Sequence, residues 1–314
     1  MSRIKKLFDE NYRERKIMAL INRYEWLSHT QWGKEKTLLH NIRQDYYNLY
    51  ERYPDLNHPK DLNEKLLWLS YYWRHPLKAR CADKYRCRDY VTKDCGLPEE
   101  LLVPLYGVWD SPEDIDFSSL PDSFVLKCNH GCGYNIIVHN KSIFNIEKAK
   151  KELKQWLSES YSGNSSEIHY KKIQKHVIMC ESYIGEDGER IEIQFFCFNG
   201  EAKHILVRND LGDQEGKGFA ISYDMNWNRV KDRRNEDMSI SISRPSNLEF
   251  LVYIANTLSK PFPHVRIDLY LTGEKVYLGE MTFTTCGNIL YNYLDETLIK
   301  WGEELILPHK YKEN

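Results

Sequence analysis

The sequence predicts an α+β fold that begins with a helical N-terminal region. Through residues 1–75, apolar side chains recur every three or four positions, which is typical of amphipathic helices. From residue 123 onward the pattern changes to short apolar runs joined by tight turns, which indicates antiparallel hairpins. The sequence lacks the steady alternation of strands and helices that marks a doubly wound parallel sheet. We therefore expect two α+β lobes that follow a helical region.

The local pattern predicts each element in turn. Pro54 and Pro59 interrupt the first helical region, because proline cannot continue a helix interior. Helical spacing predicts further helices over 83–95, 145–161, 247–259 and 291–303. Apolar runs predict strands over 101–109, 124–128, 136–140, 176–184, 190–200 and 203–210, and a hairpin over 265–283 that turns at Thr272-Gly273. Residues 210–247 are polar and are predicted to be irregular.

These elements group into four predicted parts of the chain. They are the helical N-terminal region, residues 1–75; a connecting segment, residues 76–122; a first lobe, residues 123–209; and a second lobe with the last hairpin, residues 210–314.

The composition argues against some classes of function and some cellular locations. A formal net charge of −2 argues against a general nucleic-acid coat, so we expect no nucleic-acid partner. No stretch reaches the roughly 20 apolar residues that span a bilayer, and charges interrupt the N-terminus, so we expect a cytoplasmic protein with reduced cysteines. The apolar positions Ile4, Leu7, Phe8, Ile17 and Leu20 are spaced as in a helix. That helix either packs on the protein body or touches the inner face of an anionic membrane.

The C-terminal hairpin carries the strongest chemical signal. Arg266 and Asp268 alternate along one strand, and Glu280 and Thr282 alternate along its partner, so each pair shares a face. If the turn pairs the strands, a guanidinium, two carboxylates and a hydroxyl converge. Carboxylates on adjacent strands repel unless a cation lies between them, and Mg²⁺ takes such oxygen ligands. Ordinary polar residues on a solvent-exposed sheet face would give the same sequence pattern.

Two further segments suggest a phosphate and a base site. Lys127 lies inside an apolar strand, where its charge is costly unless a counter-ion such as a phosphate matches it. The glycine-bearing loop 129–133 beside it offers backbone N–H groups to phosphate oxygens. Glu181 and Glu192 flank an apolar slot that could hold adenine, although alternating polar residues on an exposed sheet would give the same sequence pattern. The signatures G-x-S-x-G and G-x-x-x-x-G-K-[ST] are absent from the sequence.

The order of these motifs resembles that of the ATP-grasp superfamily. The sequence presents Asp83-Lys84, then Lys127 before the glycine loop, E-x-x-I at 181–184, R-x-D at 266–268 and E-x-T at 280–282. More closely, FVLKCNHGCGYNI, FFCFNG and VRIDLY…VYLGEMTF are similar to the TupA-like ATP-grasp proteins, a branch associated with bacterial cell-surface polysaccharides such as teichuronopeptide. The resemblance covers about residues 45–303.

The resemblance implies an ATP-grasp fold in which two α+β lobes hold ATP with one or two Mg²⁺ ions. Arg266 and Lys127 would have catalytic roles. The implied nucleotide contacts are Lys84, Lys127, Asn129, His130, Gly131, Cys132, Gly133, Glu181, Ser182, Ile184, Glu192 and Gln194, and the implied metal ligands are Asp268, Glu280 and Thr282. Thr282 stands where the superfamily often has asparagine, and Gln194 where related proteins often carry lysine.

The chemistry that the resemblance implies is ATP-dependent joining of a carboxylate to an amine through an acyl phosphate. The substrates would be small molecules or glycans, for example a hexuronic acid and an amino acid. A phosphotransferase on a sugar hydroxyl and a nucleotide-binding partner of a glycosyltransferase are the alternatives. Association with a membrane or with a glycosyltransferase is a further expectation.

Overall fold

A computed structural model of the chain describes residues 9–161, 163, 165–185, 190–209 and 219–311. The helices are α1 Glu10–Arg23, α2 Glu25–His29, α3 Gln31–Tyr50, α4 Leu62–Tyr72, α5 Pro76–Ala82, α6 Cys87–Asp89, α7 Ile146–Ser158, α8 Leu248–Ser259 and α9 Asp295–Glu304. The strands are β1 Leu105–Trp109, β2 Phe124–Cys128, β3 Asn135–Val138, β4 Ile178–Glu181, β5 Ile191–Phe198, β6 Glu201–Asn209, β7 Phe219–Tyr223, β8 His264–Thr272 and β9 Lys275–Thr282.

The N-terminal region is helical, as the apolar spacing predicts, and it breaks between α3 and α4 where the two prolines stand. Arg43 on α3 is buried and joins α3 to α1 through an ion pair of 2.8 Å between its Nε and Glu14 Oε2. Ile4, Leu7 and Phe8 of the expected surface helix lie outside the described residues. None of the helices within the described ranges is long and apolar enough to cross a membrane.

The smaller sheet has the strand order β1-β4-β2-β3 and is antiparallel throughout. Its central strand β2 is buried except at Lys127, as expected for an apolar strand with one inserted charge. The helix α7 covers one face, where Leu153 packs among Phe124, Leu126 and Ile178. This core leaves the opposite face of β2 to line a cleft.

The larger sheet has the order β7-β6-β5-β8-β9 and is also antiparallel. Side chains of β5 at odd positions face α8, since Cys197 Sγ lies 4.0 Å from Ala255 O. Those at even positions face α9 at one end of the strand, where the rings of Phe196 and Trp301 lie 4.9 Å apart. At the other end of the same face the even positions are Glu192 and Gln194, and they are polar. One end of this face is therefore core, and the other end is left for ligands.

Three features differ from the predictions. The strand β7 falls inside the stretch predicted to be irregular, because five apolar-rich residues in polar surroundings gave too short a signal; residues 210–218 of that stretch lie outside the described ranges. The predicted helix 83–95 begins only at Cys87, because Asp83 Oδ1 accepts from the backbone N–H groups of Tyr85 and Arg86 and forms a turn there. The predicted divisions of the chain at 122/123 and 209/210 also do not follow the sheets, since β1 joins the smaller sheet and β5 and β6 join the larger one.

Trp301 tests the packing of α9 on the larger sheet. It is 2% exposed and stacks on His204 with ring centroids 4.2 Å apart. We predict that Trp301→Ala lowers the free energy of unfolding by about 3–5 kcal/mol, because it removes a large buried ring. Ile299→Ala on the same helix should change it by less than about 0.5 kcal/mol, because Ile299 is 52% exposed. Urea unfolding measures both, and equal effects would contradict this placement of α9.

Candidate functional site

The β8–β9 hairpin brings together the four side chains that the sequence pattern places on one face. Arg266 pairs with Thr282 and Asp268 pairs with Glu280 across the two strands. The register then shifts, because Gly279 is an extra residue on β9 and forms a β-bulge. A Cβ atom on Gly279 would meet the Tyr270 ring at 2.9 Å, so the bulge needs glycine. The bulge lies directly beside the acidic pair.

Arg266 connects the members of this cluster. Its Nε donates to Asp268 Oδ1 at 2.7 Å, and its Nη2 donates to Asp268 Oδ2 at 2.5 Å. The same Nη2 lies 3.4 Å from Glu280 Oε1 and 3.2 Å from Thr282 Oγ1. Thr282 in turn donates to Glu280 Oε1 at 2.6 Å. A bidentate guanidinium–carboxylate pair of this kind fixes both the position and the orientation of the charges.

The two carboxylates have different electrostatic environments. Burial raises the pKa of Asp268, and the paired Arg266 guanidinium opposes this effect. Burial also acts to raise the pKa of Glu280, but the positive charges of Arg266 and Lys84 outweigh it and lower that pKa below its usual value. The Glu280 side chain is 42% exposed, whereas that of Asp268 is 3% exposed. Glu280 is therefore the more exposed of the two carboxylates and the one whose ionised form the neighbouring positive charges favour.

Basic side chains on the smaller sheet and its neighbours line the other wall. Lys127 Nζ donates to Glu181 Oε2 at 2.7 Å, and Arg88 Nη1 lies 3.3 Å from Glu181 Oε1. Lys84 Nζ donates to the Gly131 carbonyl at 2.5 Å, and burial lowers the pKa of Lys84. Lys84 and Lys127 both act electrostatically on Glu280. The two walls thus present positive and negative groups to the same space.

The glycine loop is placed beside this wall, but not all its side chains face the cleft. Asn129 is buried; its amide donates to Asp83 Oδ2 and to the Lys175 carbonyl, and its Oδ1 accepts from the Val177 N–H. His130 is buried as well and stacks on His176 with ring centroids 3.5 Å apart. These contacts hold the loop in place, and neither side chain lines the cleft.

The last two residues of the loop do face the cleft. Cys132 and Gly133 line it, while Gly131 and Gly133 have φ values of +79° and +78° that favour glycine. A Cβ atom on Gly131 would also meet the Tyr161 ring at 2.3 Å. Any phosphate contact from this loop would therefore come from its backbone and from Cys132.

The segment between β4 and β5 departs from the prediction at one residue. The backbone N–H of Ser182, expected to face adenine, donates instead to the Pro104 carbonyl at 2.9 Å. This bond extends the pairing of β4 toward the segment before β1. Ser182 and Ile184 both line the cleft, as expected of the slot. Contact with a base therefore has to come from groups other than the Ser182 N–H while this bond persists.

Glu192 and Gln194 project into the same space from β5. Gln194 is 1% exposed and donates from Nε2 to Glu192 Oε1 at 2.6 Å. Its Oε1 is buried and has no hydrogen-bond partner in the described part of the chain. Gln194 pairs with Asp268 of β8 in the sheet, so this oxygen lies on the same face as the acidic pair. A buried amide oxygen without a donor is an acceptor that a cation or a bound donor would satisfy.

Together these groups line a cleft of about 830 Å³ between the two sheets. Twelve of the predicted site residues line it; Asn129, His130, Gly131 and Thr282 do not. The sequence patterns missed Arg88, Arg190 and Arg208, which also line it, with the Arg190 guanidinium 4.7 Å from the Tyr270 ring centre. Arg88 stands four residues after Lys84, and Arg190 directly precedes β5. Their closeness in sequence to the predicted site residues was the signal that could have found them.

The oxygen ligands suit magnesium better than a softer metal. Asp268, Glu280, the Thr282 hydroxyl and Gln194 Oε1 are all hard donors. Within the described ranges, no three His, Cys, Asp or Glu side chains form a metal site by themselves. Two carboxylates match the usual arrangement for Mg²⁺, which keeps waters and bridges to substrate phosphates.

The fold and the cleft between its two sheets are those of an ATP-grasp protein. A family model described as TupA-like ATPgrasp matches residues 64–306, more than half of the sequence. The chain therefore belongs to the TupA-like ATP-grasp family. No curated protein matches the sequence.

Several solved structures are similar to this chain at low sequence identity. The L-amino acid ligase from Bacillus licheniformis is 15% identical with a TM-score of 0.43, over 67% of this chain and 44% of that one. A D-alanine–D-alanine ligase from Bacillus anthracis, solved with ATP, is 16% identical with a TM-score of 0.38, over 71% of this chain and 65% of that one. A biotin carboxylase from Campylobacter jejuni is 16% identical with a TM-score of 0.39, over 85% of this chain and 53% of that one. The chain spans less than two thirds of the length of each.

His130 provides a test of which loop side chains face the cleft. Burial, helped by His176, lowers the pKa of His130 to about 4, whereas an unfolded histidine titrates near 6.5. The unfolded state therefore takes up the proton first, and stability falls as pH drops from about 6.5 toward 4. We predict that His130→Phe lessens this fall in urea unfolding between pH 7 and pH 5, with unchanged affinity for ATP. A folded variant that loses ATP binding would show that the imidazole contacts the nucleotide.

Proposed function

We propose that the protein is an ATP- and Mg²⁺-dependent ligase that joins a carboxylate to an amine through an acyl phosphate. The observation that carries the proposal is the placement of Arg266, Asp268 and Glu280 on one wall of the cleft. The positive charges of Lys84 and Lys127, on the other wall, act electrostatically on Glu280. Membership of the TupA-like ATP-grasp family supports ATP as the phosphoryl donor.

The proposed nucleotide position follows from the character of the cleft walls. Adenine would lie in the apolar part lined by Val103, Val125, Leu278 and Met281. Glu192, at the start of β5, would accept hydrogen bonds from the ribose hydroxyls. The phosphates would then extend toward the lysines and the β8–β9 hairpin, where the charges are densest.

Binding of the phosphates would exchange internal ion pairs for new ones. Lys127 is held by Glu181 at 2.7 Å, so a phosphate has to compete with one carboxylate for this ammonium. Arg88 also contacts Glu181, so that carboxylate keeps a cation when Lys127 turns to the phosphate. Lys84 donates only to a carbonyl in the described structure and has no carboxylate to leave. These side chains are positioned before a nucleotide arrives, which favours catalysis by positioning and charge neutralisation.

The proposed reaction has two balanced steps. A carboxylate oxygen of the first substrate attacks the γ-phosphorus of ATP, which forms an acyl phosphate and releases ADP. The amine of the second substrate then attacks the acyl carbon, forms the amide and releases inorganic phosphate and a proton. Arg266 would hold oxygens of the transferring phosphoryl group. Magnesium, held by Asp268 and Glu280 with Thr282 nearby, would neutralise phosphate charge.

The identity of the substrates belongs to the proposal as well. The family resemblance supports a hexuronic acid or an amino acid as the carboxylate, in the assembly of bacterial cell-surface polysaccharide. A second candidate, a nucleotide-binding protein without turnover, is favoured by one observation, the substitution of Gln194 and Thr282 for the usual lysine and asparagine. Gln194 bonds to Glu192 and supplies no positive charge to the phosphates.

Product analysis tests the proposed reaction. We predict Mg²⁺-dependent ATP consumption with a panel of uronic and amino acids, and a mass-spectrometric product that is an amide, together with ADP and phosphate. A phosphorylated sugar would instead identify a phosphotransferase. Binding of ATP without any turnover, on small acceptors and then on membrane-derived glycans, would favour the nucleotide-binding partner.

Glu280 tests the metal assignment. We predict that Glu280→Gln lowers turnover by at least about 100-fold, because the amide loses the charge that would hold the cation while it keeps an acceptor for Thr282. Glu274→Gln, an exposed residue in the turn of the same hairpin, is the matched control and should leave turnover unchanged. Circular dichroism checks that both variants fold. Wild-type turnover of folded Glu280→Gln would refute the role of this carboxylate.

A further inference from the structure

A second, smaller cavity lies between α4, α5 and the 3₁₀ turn Ile168–Lys172. Its volume is about 10 Å³, which is room for one water-sized particle. No aspartate or glutamate is among the described residues that line it. Its polar and basic lining residues are Ser70, Arg74, His75, Lys78, Ser166, His169 and Lys172.

Lys78 is the central residue of this cavity. It lies on α5, is 6% exposed, and makes no side-chain hydrogen bond or ion pair within the described ranges. Burial alone lowers the pKa of Lys78 to about 7, with no carboxylate near enough to raise it. A buried ammonium without a counter-ion is strongly destabilising. The fold nevertheless buries a lysine here.

The neighbouring side chains lack partners too. His169 is 5% exposed, and neither ring nitrogen has a hydrogen-bond partner in the part of the chain that the structure describes. A neutral imidazole has one donor and one acceptor, and leaving either unsatisfied in the interior is destabilising. Ser70 Oγ accepts from Asn288 Nδ2 at 2.7 Å, so its own hydrogen remains available to donate. An ammonium, an imidazole and a hydroxyl therefore line one small space as potential donors.

The other basic residue whose partners are defined does not supply a counter-charge. Arg74 donates from Nη1 and Nη2 to the two carboxylate oxygens of Glu35, both at 2.6 Å. Both oxygens of the Glu35 carboxylate are therefore paired with Arg74, and Glu35 does not line the cavity. The counter-charge for a protonated Lys78 is therefore left to a ligand.

We propose that this cavity is a binding site for one monatomic anion of the size of chloride, held by Lys78, His169 and Ser70. The volume excludes phosphate, sulfate and substrate carboxylates. Water would satisfy the hydrogen bonds but would leave the ammonium without a counter-ion. The anion accepts from all three donors and neutralises the lysine.

The position of the site gives the anion a structural role. It joins α4 and α5 to the turn Ile168–Lys172, whose residue Tyr170 lines the large cleft. Lys84, which also lines that cleft, follows directly after α5. The bound anion would brace the layer beneath the nucleotide-facing wall, whatever reaction the cleft supports.

Bromide scattering tests the proposal directly. Crystals of the full chain soaked in sodium bromide should show an anomalous peak within hydrogen-bond distance of Lys78 Nζ and a ring nitrogen of His169. Crystals of Lys78→Met should lack it. A wild-type cavity that contains only water, or a peak that persists in Lys78→Met, would overturn the proposal.

Thermal unfolding provides a second measurement in solution. At constant ionic strength, with gluconate replaced by chloride up to several times the dissociation constant, the wild-type Tm should rise by about 2 °C or more. Lys171→Met, which removes an exposed lysine from the same turn, should behave as the wild type does, whereas Lys78→Met should show no chloride response. An identical response in all three proteins would be a general salt effect and would overturn the site. If Lys78→Met does not fold, the wild-type bromide map still decides.

Discussion

The antiparallel register of β8 and β9 is the constraint on which the candidate site depends. Pairing of Asp268 with Glu280 places both carboxylates and Arg266 on the cleft face, and a slip by one residue would turn them to the opposite face. The bulge at Gly279 shifts the pairing of the two strands by one residue directly beside this point. The strand β5 pairs with the other edge of β8, and the register of that pairing places Gln194 beside Asp268.

The charges in the cleft are arranged in pairs that hold one another before a ligand binds. Arg266 neutralises Asp268, and Lys127 neutralises Glu181. Each pair keeps a partly buried charge from being left alone, which would cost several kcal/mol. A nucleotide with magnesium offers new partners of opposite sign to both pairs. The unliganded fold is thus stable while its charged groups already stand where phosphates and a cation would need them.

The sequence was sufficient to predict the pairing of the last two strands and the convergence of their polar side chains. Both follow from the alternation of side chains along two strands that are joined by one short turn. It was not sufficient where contacts come from distant segments. The carbonyl of Pro104, which occupies the Ser182 N–H, and the contacts that bury Asn129 and His130 all depend on tertiary packing that local patterns do not encode. Lys78 belongs to the same class, since a lysine on a short helix gives no sign in sequence that it is buried without a counter-ion.

The most direct test of the account is a crystal structure of the full chain with Mg²⁺ and a non-hydrolysable ATP analogue. We predict the triphosphate between Lys84, Lys127 and the β8–β9 hairpin, with a metal ion about 2.0–2.1 Å from an oxygen of Asp268 and of Glu280. A nucleotide bound outside this cleft would contradict the account. A metal ion bound by neither Asp268 nor Glu280, with the Arg266–Asp268 ion pair still intact, would also contradict the account.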